Sequence, residues 1–105
     1  MTEELFNALL EEIFEQERAI GKTKGIEYIH QNSYDRLDNF KRIGALFKLG
    51  PKVVLGVYLR KHLDAIMNYI STGEAKSEDI LGRLLDARVY LSLLWGLIVE
   101  DRKVV

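Results

Sequence analysis

The stretch "SEDILGRLLDARVYLSLL", Ser77 to Leu94, decides the fold. Ser77 suits an N-cap, Glu78 and Asp79 in the first turn favour the positive end of a helix dipole, and the pattern runs on to about Arg102, whose charge suits a C-terminus. At about 100° per residue, Ile80, Leu84, Ala87, Leu91, Leu94 and Ile98 form a main apolar stripe. Leu81, Leu85, Val89 and Val99 cover much of the far side, so the helix is apolar almost all round. Such a helix is central or shared with another chain. A homodimer or higher homo-oligomer is therefore expected.

Outward from this helix, one proline and eight glycines fall where helical periodicity breaks, and no segment shows the period-two alternation of strands. The fold class is all-α: a four-helix arrangement forming a helical bundle, with residues 1–105 as a single domain. The first helix begins at Thr2 as N-cap, carries Leu5, Leu9, Leu10, Ile13 and Phe14 as its apolar stripe and stops near Gly21. A polar connector, "GKTKGIEYIHQN" (21–32), follows. Ser33 can cap a short second helix through Phe40, Ile43 and Phe47, which Gly50 ends, and Pro51 suits the first position of a third helix running to about Thr72. No internal repeat, low-complexity segment or linker interrupts this order.

Composition narrows the function. Fifteen basic residues nearly cancel sixteen acidic ones, and no block of like charge is long enough to hold a phosphate backbone, which argues against a nucleic-acid partner. The absence of cysteine excludes disulfides, thiolate zinc sites and cysteine nucleophiles. The opening "MTEELF" is acidic rather than signal-like, and no apolar run reaches the roughly 18 residues that span a bilayer. A cytoplasmic protein without a membrane partner is expected.

The chemistry-bearing candidates cluster on two helices. Asp79, Arg83, Asp86 and Tyr90 share one stripe that continues as Leu93 and Leu97, inside the arc that should be buried. A buried carboxylate needs a cation, a metal or donor groups. Asp86 therefore either pairs with Arg83 or Lys61 to fix helix register, or belongs to a binding site. In "YLRKHLDAIMNY" (58–69), His62 sits among Leu55, Leu59, Leu63 and Ile66 on the core face, with Lys61 at its edge and Asp64 pointing away. A histidine so placed is either a hydrogen-bonded core residue or a ligand-contacting one. Glu11, Glu12 and Glu15 on the first helix have the spacing to offer oxygens to a divalent cation, and the same spacing is ordinary on solvated helices. No nucleophile elbow or phosphate-cradling glycine loop is present.

Four blocks taken together, "KGIEY" (24–28), "DRLDNFKRIG" (35–44), "VYLRKHLDAI" (57–66) and "SEDILGRLLDARVYLSLL" (77–94), resemble the MazG-like or nucleotide-modification-associated proteins of phages and prokaryotes. That family is related to the all-α nucleoside triphosphate pyrophosphohydrolases. The resemblance covers about residues 24 to 98, in the family's block order. It implies an oligomeric helical domain that binds a nucleotide with magnesium, and pyrophosphohydrolase chemistry. The sequence departs from the family's paired acidic motifs: Glu12 and Glu15 form an E-x-x-E ahead of the resembling region, and the last helix has no E-x-x-D. On this reading Asp86 and Lys61 carry the catalysis, with Asp86, Glu27, Glu12 and Glu15 as metal ligands. Arg36, Arg83 and Lys61 meet phosphate oxygens, Tyr28 or Phe40 stacks on a base, Asn39 reads its edge, and His62 joins the substrate set. The competing expectation is a non-enzymatic helical oligomerisation or protein-interaction module, whose charged stripe only specifies an interface.

Overall fold

The computed structural model describes residues 1–28, 35–75 and 78–103, with the side chains of 21 and 23–28 outside that description. Four helices make up the described chain: α1 (Glu3–Tyr28), α2 (Asp38–Phe47), α3 (Pro51–Thr72) and α4 (Ile80–Lys103), with no strand among the described residues. The all-α arrangement read from periodicity is the one observed.

Helix ends follow local chemistry, not always at the expected residue. Thr2 caps α1: its hydroxyl accepts the Leu5 N–H at 3.2 Å and its carbonyl accepts the Phe6 N–H at 3.0 Å. The expected stop at Gly21 does not occur, and α1 continues through Gly21 and Gly25 to Tyr28. An interior glycine costs only about 1 kcal/mol relative to alanine, too little to end a helix by itself. Ser33 and Ser77, the expected caps of α2 and α4, lie outside the described residues.

The start of α2 is shaped by Asp35, whose Oδ1 accepts the Leu37 N–H at 2.9 Å in an Asx-type turn. Its end is at Lys48 rather than Gly50. Lys48 takes the left-handed conformation (φ 59°, ψ 40°), and its N–H reaches the Ala45 and Gly44 carbonyls. Gly50 instead has extended geometry (φ −66°, ψ 148°) as the N-cap of α3, with Pro51 in the first turn as its sequence position suggests. The turn is tight because Leu49 N–H returns to the Gly44 carbonyl at 2.8 Å.

Packing runs α2 against α3, α3 against α4, and α4 against α1. Leu37, Phe40, Val54, Leu55 and Leu97 form the main buried cluster, with Ile43, Leu59, Tyr90, Leu93 and Leu94 packed on it. On α4 the inward side is the mixed stripe: Arg83, Asp86 and Leu97 are buried, while Asp79 is exposed. Choosing that stripe as the inside rotates the rest of α4 away from expectation. Leu84 and Leu91, assigned to the main apolar stripe, are exposed, and of the four far-side residues Leu81 is exposed, Val99 half-buried, and Leu85 and Val89 buried. On α3, Leu55 and His62 are buried as expected but Leu63 faces outward, about 100° round the helix from His62. Among its described side chains, α1 buries none completely. Among the described residues, no helix is long and apolar enough to cross a membrane.

Candidate functional site

Where α2, α3 and α4 converge they enclose a cavity of about 430 Å³. Asn39 and Phe40 reach it from the first turn of α2, and Tyr58, Lys61 and His62 from one face of α3, related by three- and four-residue steps. Asp86 and Tyr90, also four residues apart, supply the α4 side, with Glu78 at the approach to that helix. Each helix contributes because helical spacing repeats a face every turn, so a small number of turns can crowd several functional groups into one volume.

The wall is aromatic. Tyr58 and Tyr90 lie nearly parallel (8°) with centroids 6.2 Å apart. Phe40 meets both edge-on, at 6.1 Å and 6.4 Å, the offset geometry that ring quadrupoles favour. The His62 ring packs on Tyr90 at 5.3 Å.

Behind that wall is a buried polar cluster. His62, Arg83 and Asp86 are each at most 8% exposed. Arg83 Nη1 is 3.3 Å from His62 Nδ1. Asp86 Oδ2 stands 3.8 Å from the same nitrogen, and Arg83 Nε is 3.6 Å from the Glu78 carboxylate. The guanidinium thus bridges the rim carboxylate and the buried histidine, which offsets the desolvation cost of burying it. The cavity combines ring surfaces, an exposed ammonium at Lys61 and a carboxylate at Asp86. Such a set can hold a small ligand that is part planar and part anionic.

Six residues singled out from the sequence, Asp86, Tyr90, Lys61, Asn39, Phe40 and His62, therefore line one cavity. Arg83 joins through its His62 and Glu78 contacts. Arg36 lines two adjoining clefts, one shared with Asn39, Phe40 and Asp86, the other of about 390 Å³ shared with Phe14, Glu17 and Arg18. Glu12 accepts a bond from Gln16 at 3.2 Å and borders a groove between α1 and α4, apart from this cavity. Glu15 is exposed on α1. The side chains of Glu27 and Tyr28 lie outside the described residues. Among the described residues, no three acidic or histidine side chains converge as a metal site.

Tyr58 and Glu78 also line the cavity, though neither is among the site residues expected from the sequence. Tyr58 was findable, because it precedes Lys61 by three residues and His62 by four on the same helix. Glu78 was not, since its approach to Arg83 depends on how the chain enters α4.

The rest of "DRLDNFKRIG" secures α2. Lys41 donates to Asp35 Oδ2 at 2.5 Å and to Glu100 Oε1 at 2.6 Å, tying the start of α2 to the end of α4. Hydrogen bonding to the Lys41 ammonium holds the Asp35 carboxyl below its usual range, and the two carboxylates hold Lys41 above its own. Asp38 and Arg42 pair along the helix at 3.7 Å.

No family model, curated protein or solved structure matches this chain.

Proposed function

We propose that the cavity between α2, α3 and α4 binds a small phosphate-bearing ligand of the nucleotide class. The observation that carries this reading is the juxtaposition, round one 430 Å³ volume, of the Tyr58, Tyr90 and Phe40 rings with the Lys61 ammonium. A planar base would gain stacking on the rings, and the Asn39 amide carries the donor and acceptor needed to read a base edge. Lys61 meets the phosphate as a point charge at the mouth. Asp86, which lines the same cavity with its Oδ2 3.8 Å from His62 Nδ1, acts as an acceptor for a sugar hydroxyl or a base N–H. The resemblance of the blocks at 35–44, 57–66 and 77–94 to the MazG-like proteins supports the same class of ligand.

Magnesium needs several hard oxygens, and the described carboxylates at the cavity are Asp86 and Glu78 alone. That donor set does not by itself fit the ion, so binding is proposed here and no hydrolytic step is derived.

Calorimetric titration with nucleoside mono- and triphosphates, each with and without magnesium, tests the proposal. Lys61→Ala is expected to weaken binding at least tenfold, about 1.4 kcal/mol, with no loss of stability, since Lys61 is exposed. Asp86→Asn separates a ligand role from a purely structural one: reduced binding with preserved thermal stability supports the ligand role. Lower stability with unchanged binding, or no binding of any nucleotide with or without metal, retires it.

A further inference from the structure

We infer that Glu78 is the site's own anion: its carboxylate occupies the place beside Arg83 that an acidic group of the ligand takes, and so limits how much negative charge the cavity accepts. The inference rests on reading that cavity as a phosphate-binding site, and it gives Glu78 a part in choosing among phosphates. Its position comes first. Glu78 lines the cavity between α2, α3 and α4 and also an adjoining cleft of about 290 Å³. It therefore partitions two hollows, with Lys61 lining the one and Arg83 bordering the other. Asp64 also borders the cleft, but Arg60 Nε lies 2.8 Å from its carboxylate and offsets that charge.

Glu78 is also the weakest member of its cluster. Arg83, His62 and Asp86 are buried and stand on helices, whereas Glu78 precedes α4 and its side chain is 51% exposed. Its Oε2 lies 3.6 Å from Arg83 Nε, longer than a hydrogen bond. An ion pair that long and half in water contributes little. A phosphate oxygen, by contrast, meets a guanidinium through short, charge-assisted and often bidentate hydrogen bonds. Glu78 is the group that yields.

Charge balance fixes what can replace it. A buried guanidinium stripped of its carboxylate is costly, so only an anion can take that place. The displaced Glu78 carboxylate stays close, because its backbone is tied to the entry of α4, and it repels the newcomer together with Asp86, which lines the same cavity. That repulsion grows with the charge of the ligand. Glu78 accordingly disfavours a pyrophosphate group more than a single phosphate.

Calorimetric titration with inorganic phosphate and with pyrophosphate, neither of which carries a base, tests the inference. Glu78→Gln keeps the side-chain shape and removes the charge; it is expected to bind pyrophosphate at least tenfold tighter than wild type, with a smaller gain for phosphate. The gain should shrink at about 1 M salt, where charges are screened within about 3 Å. Glu4→Gln makes the same change of net charge at an exposed position in the first turn of α1 and is expected to leave both affinities unchanged. Equal pyrophosphate affinity in wild type and Glu78→Gln, no binding by either, or an equal gain in Glu4→Gln overturns the inference. Should Glu78→Gln unfold, the Arg83 Nε–H resonance of the wild type decides: pyrophosphate is expected to shift it and to leave that of Arg88, whose Nε donates to Glu17 on α1, in place. An unmoved Arg83 signal overturns the inference. Tighter pyrophosphate binding by Glu78→Gln together with no binding of any nucleotide upholds the role of Glu78 and retires the nucleotide reading instead.

Discussion

Gly44 stands where two residue-level preferences oppose each other. Alanine is the better helix former by about 1 kcal/mol, yet a Cβ at Gly44 would lie 2.5 Å from the Leu49 carbonyl oxygen. That neighbour is backbone, fixed by the Leu49 N–H to Gly44 hydrogen bond, and cannot swing aside. Steric conflict wins, and Gly44→Ala is expected to lower stability by about 1–3 kcal/mol in urea denaturation. Lys41 poses an electrostatic question on the same helix. Asp35, held below its ordinary value by Lys41, adds stability that is present above that ordinary value and is lost as pH falls through the lowered one. Lys41, held above its ordinary value by Asp35 and Glu100, adds stability that is present below that ordinary value and is lost as pH rises through the raised one. Both contributions are complete across neutral pH. Because the Lys41 and Asp35 side chains are each 39% exposed, solvent screening keeps the effect of Lys41→Met at pH 7 to about 1 kcal/mol or less. Denaturant unfolding should show the difference from wild type shrinking below the ordinary carboxylate range.

Among the elements, the ends of α2 and α3 solve one geometric problem with different residues. Both close on a left-handed residue, Lys48 with φ 59° and Gly73 with φ 76°. A side chain in that conformation costs roughly 1–2 kcal/mol, and glycine avoids the cost. Lys48→Gly is therefore expected to raise stability by a few tenths to about 1 kcal/mol, the gain being reduced by the greater freedom of the unfolded chain. Gly73→Ala should lower it by about 1 kcal/mol. Thermal unfolding of the two variants, with midpoints moving in opposite directions, checks both. The glycine at 50 suggested a stop for α2, but the Lys48 conformation, set by hydrogen bonds to Ala45 and Gly44, had no counterpart in the sequence pattern.

For the whole molecule, Trp95 is a built-in reporter, being the single tryptophan and 75% exposed in the isolated chain. If the self-association expected from the sequence covers α4 at this point, its fluorescence should move to shorter wavelength as protein concentration rises; emission that stays that of a wetted indole at every concentration would contradict that covering. The sequence by itself determined the helical class, the cap at Thr2, the entry at Pro51 and the sharing of one α4 face by Arg83, Asp86, Tyr90, Leu93 and Leu97, because all of these follow from spacing along one chain segment. It also marked most of the cavity's residues, Asp86, Lys61, His62, Asn39 and Phe40, by their polar, charged or aromatic chemistry. Only the tertiary structure decided that Glu78 approaches Arg83, that Lys41 joins α2 to α4, and that Leu84 and Leu91 rather than Leu85 and Val89 are left wet. Periodicity fixes which residues share a face, but on a helix apolar almost all round every face is a candidate inside. The choice among them belongs to the neighbouring helices, whose positions depend on contacts between residues far apart in the chain.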